Sequence, residues 1–195
     1  MPSAPADREL VAEACLGQER AYRELLDRYQ RPVFSLVYRM VRDRETAEDI
    51  AQEAFVRAFQ ALDSYNPAYK FSSWLFKIAN NLTIDHLRKR RLETVSIHGS
   101  PHADDAEAEQ RSSIVLESRD ENPQEFSENR ELGAQIEVAL AALRPTYRAA
   151  VLLRHVEGYS YEEIAEIMEV PLGTAKTYIH RGRLELKGML AEAVT

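Results

Sequence analysis

The chain has 195 residues, 45% of them hydrophobic, so it is long enough for two small domains and is not disordered throughout. Its single cysteine, Cys15, excludes an internal disulfide, and we expect its side chain on the buried face of a first helix. No apolar run reaches the ~20 residues that span a bilayer. Residues 1–7 also lack the basic start and apolar core of a signal peptide, so we expect a cytoplasmic protein without membrane insertion.

The net charge of −7 comes from one segment of the chain. Residues 1–93 carry 15 Lys and Arg against 14 Asp and Glu, whereas residues 94–128 carry 2 against 9 and residues 129–195 carry 8 against 9. The middle segment is rich in Pro, Ser and acidic residues and has weak helical periodicity, which predicts a mostly irregular linker. Two interpretations stay open: a solvated tether, or an acidic strand that occupies a groove made for nucleic acid.

Residues 1–93 predict a first domain made of helices. Apolar side chains recur there at helical spacing, and Asn66-Pro67 marks a turn before the last helix. The first helix is expected to run from an Asp7 N-cap to Gly17. The later ones are expected to begin near Glu19, Pro32, Asp43 and Ser72, the last of them ending at about Arg91.

Residues 129–195 predict a second helical domain, so the expected fold class is all-α. Helices are expected over about 129–143 and 146–156. Ser160 followed by Glu163 fits a capping box that begins a third helix. Residues 171–174 read as a tight turn, and a final helix follows.

The strongest functional pattern is a helix-turn-helix over residues 159–177. Ile164, Ala165 and Ile167 form the expected inner face of its first helix, and the small Ala165 allows the second helix to approach closely. The second helix would then enter the major groove, with its early residues directed at base edges.

The expected recognition helix is rich in groups that bind DNA. Basic side chains pair with guanine or neutralise phosphate, and Thr174 is expected to cap the helix, whose first N–H groups can hold a phosphate. The alternative is an ordinary amphipathic helix with a solvated basic face. The candidate residues are Thr174, Lys176, Thr177, Tyr178, His180, Arg181 and Arg183.

A second pattern interleaves aromatic, amide and basic residues over residues 70–91, where six basic residues face one acid, Asp85. Unpaired bases stack on aromatic faces, and amides hydrogen-bond to base edges. A role in the core accounts for most of the apolar residues here, Trp74 included. It does not account for Asn80 and Asn81 or for the basic run 88–91.

A third pattern is acidic. Asp49, Gln52 and Glu53 share one helix face by their spacing. Taken alone, this pattern is typical of a solvated surface.

Together and in this order, the three patterns resemble the extracytoplasmic-function (ECF) sigma factors of bacterial RNA polymerase. The resemblance rests on Asp49-x-x-Gln-Glu-Ala-Phe, on Phe71-x-x-Trp-Leu-x-x-Ile-Ala-x-Asn, and on Ser160-Tyr-x-Glu-Ile-Ala with Pro171-x-Gly-Thr. It implies a region 2 domain over 1–93, an acidic linker over 94–128 and a region 4 domain over 129–195. A protein of this kind starts transcription of a specific, stress-related gene set and is not an enzyme.

The resemblance also implies roles for residues of the first domain. Asp49, Gln52 and Glu53 would dock on the β′ clamp helices of core RNA polymerase, with Arg42 nearby. The last helix and the loop before it would melt and read the −10 element, supported by Phe71 and Trp74. The implied −10 residues are Ser64, Tyr65, Asn66, Lys70, Asn81, Asp85, Arg88, Lys89, Arg90 and Arg91.

For the second domain, the resemblance implies that the recognition helix reads the −35 element as duplex DNA and that the domain meets the β flap of the polymerase. Relatives often have an arginine where Tyr178 stands, which affects the expected promoter sequence and not the role. The linker would lie near the RNA exit path as a mimic of RNA. An anti-sigma factor is a further expected partner, and no cofactor or metal is expected.

Two other classes of protein account less well for the sequence. A stand-alone helix-turn-helix regulator that binds an operator as a dimer would leave residues 1–93 without a role. A nuclease or metal-dependent hydrolase would need a ligand set, but His98 and His102 are separated by Gly99 and Pro101, so no helix sets a ligand face. No phosphate-binding glycine loop or nucleophile elbow is present in the sequence.

Overall fold

The computed structural model describes residues 6–98 and 123–193, and no strand occurs within these ranges, which confirms the expected all-α fold class. The central part of the predicted linker, residues 99–122, lies outside the described residues. The helices are α1 (Asp7–Cys15), α2 (Glu19–Val41), α3 (Arg44–Gln60), a short 3₁₀ turn (Leu62–Ser64), α4 (Phe71–His98), α5 (Pro123–Ala142), α6 (Pro145–His155), α7 (Tyr161–Met168) and α8 (Leu172–Ala193).

The first helical unit is built on α2, which passes through Pro32 without ending, so the expected helix start at this proline is wrong. Proline removes one backbone hydrogen bond and crowds the preceding turn, which costs about 3 kcal/mol in a helix interior. Leu25, Val33, Leu36 and Met40 lie on one face of α2 and are almost fully buried. Burial of each such side chain contributes about 1.5–3 kcal/mol, so together they outweigh the cost of the proline.

Helix α1 differs from expectation at both ends. Ala6 is its N-cap, and Asp7 is its first residue, whose carboxylate accepts hydrogen bonds from Arg28 and Tyr29 of α2. Cys15 is exposed, so the prediction of a buried thiol is wrong. The buried side chains are Leu10, Val11 and Ala14, and Cys15 lies about 100° further round the helix than Ala14, at the edge of this face.

The second unit is built around α6, in which residues 147–153 are all buried. Such burial on every side is the arrangement of a central core helix. Helix α8 passes close to it at Gly182, where a Cβ would lie 2.7 Å from Cγ2 of Val151 and 3.3 Å from the carbonyl oxygen of Tyr147. Glycine is therefore required at position 182 by close packing.

Helices also enter both ends of the segment expected to be irregular. Helix α4 continues to His98, seven residues beyond its expected end, and α5 begins at Pro123. Extending a helix that already exists adds one hydrogen bond per residue, whereas starting a helix is costly. Proline is favourable in the first turn because its missing N–H has no intrahelical partner there.

The two units pack directly against each other. Arg148 of α6 is only 8% exposed, and its guanidinium donates to the carbonyl oxygens of Met40 in α2 (2.6 Å), Leu143 (3.1 Å) and Ala141. Burial, with a smaller contribution from Arg42, lowers the pKa of Arg148 to about 10. The aromatic rings of Phe76 and Tyr159 meet edge to face across the same boundary, with centroids 5.3 Å apart.

Candidate nucleic-acid and polymerase interfaces

The helix-turn-helix has the expected construction. The Ser160 hydroxyl accepts from the Glu163 amide at 3.2 Å, and the Glu163 carboxylate accepts from the Ser160 amide at 2.8 Å, so the predicted capping box is confirmed. Ile164 and Ile167 are fully buried and Ala165 is half-buried. The helix ends at Met168, and its C-cap residue Glu169 adopts a left-handed conformation with φ of 55°.

The turn between the two helices places the start of α8 earlier than expected. Helix α8 begins at Leu172, and the Thr174 amide donates to the Pro171 carbonyl oxygen at 2.8 Å. Thr174 therefore lies inside the first turn, and the prediction that it caps the helix is wrong. Its half-buried side chain still lies at the end of α8 that would approach DNA.

The candidate −35 residues on α8 divide into a half-buried group, which includes Tyr178, and an exposed group. Ala175 and Ile179 are buried against the core, and this orientation turns the polar residues outward. Tyr178 is half-buried, with its ring centroid 5.5 Å from that of Tyr147 in α6, and Arg181 donates to the Tyr147 hydroxyl at 3.4 Å. The exposed group comprises Lys176, Thr177, His180, Arg181 and Arg183.

One basic residue of this surface was missed in the sequence. The guanidinium of Arg154, in α6, lies 4.8 Å above the centroid of the Tyr161 ring, and the Lys176 ammonium lies 6.0 Å from the same centroid. Arg154 also donates to the Tyr159 carbonyl oxygen at 2.8 Å. Its position in the last turn of α6, directly before the helix-turn-helix, is the only sequence signal that could have indicated it.

In the first unit, the candidate −10 loop is held by aromatic packing. The Tyr65 ring lies 5.8 Å from Phe71 and 5.5 Å from Trp74, centroid to centroid, and its hydroxyl donates to the Tyr69 carbonyl oxygen at 2.5 Å. The Asn66 side-chain oxygen accepts from the Ala68 amide at 2.9 Å, which closes the turn. Burial raises the pKa of Tyr65, so this phenol remains neutral at physiological pH.

A cleft of about 340 Å³ opens beside this loop. Its walls combine aromatic rings with polar side chains, the chemistry that holds an unpaired base. One wall comes from the second unit, because Glu166 of α7 faces the cleft. The lining residues are Ser64, Tyr65, Asn66, Tyr69, Ser73, Trp74, Lys77 and Glu166.

The amides of α4 have different environments. Asn80 is only 4% exposed and belongs to the core, whereas Asn81 is half-buried at the surface and donates to the Glu169 carboxylate at 2.9 Å. Further along α4, Asp85 is exposed and pairs with Arg88 at 2.9 Å. The basic run of Arg88, Lys89, Arg90 and Arg91 is exposed.

The candidate polymerase-binding residues lie on the outer face of α3. Asp49, Gln52 and Glu53 are all exposed, and Glu53 pairs with Arg57 at 2.7 Å. The opposite face of α3 is buried through Ile50, Ala54 and Phe55, among others, so the acidic face is held outward. Arg42 instead faces the second unit and donates to the Glu137 carbonyl oxygen.

A second surface suited to a protein partner is an apolar groove of about 820 Å³ between α5, α6 and α8. Its lining is mostly apolar and also includes several basic side chains and the acidic Glu137. The lining includes Ile136, Leu140, Val151, Leu152, Val156, Leu186 and Leu190, together with Arg39, His155, Arg183 and Lys187.

Within the described ranges, no His, Cys, Asp and Glu side chains group in threes as metal ligands would. Over the same residues, none of the helices combines the length and apolarity needed to cross a bilayer.

A helix-turn-helix with an outward basic face, joined to a second helical unit with a base-sized cleft, defines a DNA-binding transcription factor. Residues 25–93 match the family model of Sigma-70 region 2, and residues 133–186 match that of Sigma-70, region 4. The match over residues 25–93 leaves no place for a stand-alone helix-turn-helix regulator.

Similar proteins give the same result. The chain is 36% identical to the ECF RNA polymerase sigma factor SigW of Bacillus subtilis over 95% of this chain and 97% of that protein. It is 35% identical to the ECF RNA polymerase sigma-E factor of Escherichia coli K12, over 91% and 90% of the two chains. The chain therefore belongs to the family of ECF RNA polymerase sigma factors, which recognise promoters and initiate transcription.

The fold also resembles a solved sigma factor. RpoE of Bartonella quintana, in complex with the anti-sigma factor NepR, matches with a TM-score of 0.65 and 23% sequence identity. The match covers 87% of this chain and 96% of that one. At this identity the likeness concerns the fold.

Proposed function

We propose that α8 reads the −35 promoter element as duplex DNA and that the loop 64–70 with α4 melts and reads the −10 element. The observation that carries the first assignment is the exposed face of α8. Lys176, Thr177, His180 and Arg181 lie on it, and Ala175 and Ile179 fix its orientation. Side chains at the start of such a helix reach base edges, and basic ones also neutralise phosphates.

The −10 assignment is supported by the cleft beside Tyr65 and Trp74 and by the basic run 88–91 on α4. A base taken out of the duplex would stack on the aromatic wall, and the basic run would contact the backbone of the same strand. Asn81 is placed to hydrogen-bond a base edge once its bond to Glu169 is released.

Binding to core RNA polymerase is assigned to two separate surfaces. Asp49, Gln52 and Glu53 present an acidic and polar face on α3 for the β′ clamp helices. The apolar groove between α5 and α8 suits an apolar helix such as that of the β flap. Both assignments follow the family resemblance.

The remaining assignments concern the compartment, the regulation, the target genes and the domains of the protein. The chain acts in the cytoplasm beside RNA polymerase, is not an enzyme, and is controlled by an anti-sigma factor that covers its polymerase-binding faces. The genes whose transcription it initiates are a specific set related to stress. Residues 1–93 and 129–195 are the two functional domains, and the acidic linker between them lies near the RNA exit path.

In vitro transcription with core RNA polymerase, followed by mapping of start sites, tests the proposal as a whole. Charge reversal at Asp49, written Asp49→Lys, is expected to lower affinity for core polymerase about tenfold, because a rim charge that faces an opposite charge becomes repulsive. The control is Asp27→Lys, which changes an exposed acid of α2 by the same charge. Equal affinity of both variants for core polymerase would contradict the assignment of α3.

A further inference from the structure

A cluster of aromatic rings connects the candidate −10 cleft with the helices at the start of the chain. Tyr65 and Trp74, which line the cleft, both contact Phe71, with ring centroids 5.8 Å and 5.9 Å from its own. Phe71 in turn contacts Tyr29 of α2, with centroids 5.7 Å apart. Phe71 is only 1% exposed, and a close-packed ring transmits a shift of one neighbour to the others. The position of Tyr29 therefore bears on both rings of the cleft.

The outer end of this cluster is anchored by Asp7, the first residue of α1. One oxygen of its carboxylate accepts from the Tyr29 hydroxyl, and the other accepts from the Arg28 guanidinium at 2.8 Å. The pair of Asp7 and Arg28 is partly shielded from water, with 28% and 26% of the two side chains exposed. Hydrogen bonds to an ionised group are stronger than neutral ones, so Asp7 holds the Tyr29 ring in one orientation.

The protonation of the two phenols agrees with this arrangement. Burial, followed by the hydrogen bond to Asp7, raises the pKa of Tyr29, so this phenol keeps its proton and remains the donor. The charge of Asp7 also reaches the cleft, because after burial it contributes to the raised pKa of Tyr65. Asp7 is therefore close to the cluster at two of its rings.

The other end of α1 touches the turn that leads into the candidate −10 loop. Cys15 lies beside Asp63 of the 3₁₀ turn, and burial together with this carboxylate raises the pKa of the thiol. Between the two ends, Leu10, Val11 and Ala14 are buried in the core of the first unit. Helix α1 is thus fixed along its whole length, and Asp7 has a firm support.

We propose that Asp7 is a positioning residue for the −10 cleft and that it holds the rings of Tyr65 and Trp74 in place through Tyr29 and Phe71. The inference rests on the assignment of this cleft to the −10 element. A base gains most from stacking on rings that are fixed before it arrives, because less side-chain freedom is then lost on binding. Asp7 itself needs no contact with DNA for this role.

Two variants interrupt the cluster at different points. Asp7→Ala removes the anchor, while Arg28 keeps its ion pair with Glu24. Tyr29→Phe removes only the hydroxyl and keeps the ring beside Phe71. If Asp7 acts through Tyr29, both variants loosen the same part of the cleft.

Matched controls come from the same helix as Tyr29. Asp27→Ala removes an exposed carboxylate of α2, and Tyr22→Phe removes the hydroxyl of a ring that packs on Phe59, away from the cleft. Urea denaturation of all four variants sets a temperature at which each of them is folded, so that differences in function do not come from unfolded protein.

The first measurement uses Trp74, the single tryptophan of the chain. In the free chain, acrylamide should quench its fluorescence about twofold more strongly in Asp7→Ala and in Tyr29→Phe than in the wild type, because a loosened cluster opens locally more often. Asp27→Ala and Tyr22→Phe should match the wild type. Equal quenching in all four variants would overturn the proposal.

The second measurement is strand opening by the holoenzyme on a mapped promoter that carries 2-aminopurine in its −10 element. Asp7→Ala should open about three- to tenfold more slowly than Asp27→Ala, the effect of one lost hydrogen bond, with affinity for the −35 duplex unchanged. The double variant Asp7→Ala/Tyr29→Phe should be no slower than Asp7→Ala, because both changes break one connection. Multiplied effects in the double variant, or opening of Asp7→Ala at the control rate, refute the positioning role.

A variant inside the cleft separates failure of this inference from failure of the proposed function. Tyr69 lines the cleft and is 52% exposed, so Tyr69→Ala alters the lining without opening the core. If Tyr69→Ala slows strand opening and Asp7→Ala does not, only the role of Asp7 is refuted. If Tyr69→Ala opens the promoter at the wild-type rate, the assignment of the cleft to the −10 element is refuted, and the inference falls with it.

Discussion

The two candidate DNA-reading surfaces of this chain differ in how far their residues are paired within the chain. The candidate −35 residues on α8 include five exposed side chains, and the buried Ala175 and Ile179 orient them. The candidate −10 surface is just as polar, yet Lys70 and Asn81 are paired with glutamates of the other unit. The comparison shows that candidate binding residues selected by type can already be paired within the chain, because a helix distant in sequence supplies their counter-charges.

The largest expected effect concerns the contact that joins the two units. Arg148→Ala leaves the carbonyl oxygens of Met40 and Leu143 without their buried donor, which should cost roughly 3 kcal/mol of unfolding free energy. Calorimetry should then resolve two transitions, one for each unit. Arg154→Ala is the control, since it removes a carbonyl contact inside the second unit only. A single transition at the wild-type temperature would show that Arg148 does not couple the units.

The next effect tests the packing that orients α8. Gly182→Ala places a methyl group 2.7 Å from Cγ2 of Val151, so the two helices must separate, at a cost of roughly 1–3 kcal/mol. Urea denaturation measures this cost. Gly188→Ala, in the same helix, meets no atom within 4 Å and should be neutral or stabilising because alanine favours the helix. If both variants had the same stability, close packing would not be the reason for glycine at 182.

An effect of similar size is expected on the binding of duplex DNA by the exposed face of α8. Arg181→Ala should weaken holoenzyme binding to a −35 duplex by about 1–3 kcal/mol if the guanidinium reads a base. Tyr147→Phe removes only the hydroxyl that accepts from Arg181, and should leave binding nearly unchanged. Arg57→Ala, which removes an equal charge from α3, controls for net charge. Full transcription by Arg181→Ala from a mapped promoter would refute the assignment.

The smallest effect concerns the cap of α3 and depends on pH. The Asp43 carboxylate accepts from the Thr46 amide at 2.8 Å, and the Thr46 side chain together with this amide holds the pKa of Asp43 below the usual range. A lowered carboxyl pKa contributes stability above the usual value, and that stability is lost as the pH falls through the folded pKa. Asp43→Ala should therefore cost about 1 kcal/mol at neutral pH and less in acid, as measured by urea denaturation. Asp43→Asn, which caps without titrating, should show no such pH dependence.

Local patterns predicted most helices of this chain because strong periodicity and capping act over a few residues. The capping box of Ser160 and Glu163 and the buried pair Ile164 and Ile167 are as expected. The errors occur where distant packing overrides a local signal. Pro32 remains inside α2 because the flanking face is buried, and Thr174 lies within α8 because the helix begins at Leu172.

The candidate site residues could be selected from the sequence, but the residues that they contact could not. Asn81 and Glu169 are 88 positions apart, and Lys70 and Glu163 are 93 apart, so no short-range pattern links them. Arg154 was missed for the same reason, since its neighbour Tyr161 belongs to the next helix.

The helical class, the helix-turn-helix and the family of this protein could be read from the amino-acid sequence alone, because periodicity, caps and motif spacing are local properties of the chain. Which of the candidate DNA-binding residues are paired within the chain was settled by the packing of the two units. That outcome depends on where α7 meets α4, and the contact is set by the buried packing of Phe76, Tyr159 and Arg148, whose free energy comes from side chains far apart in sequence.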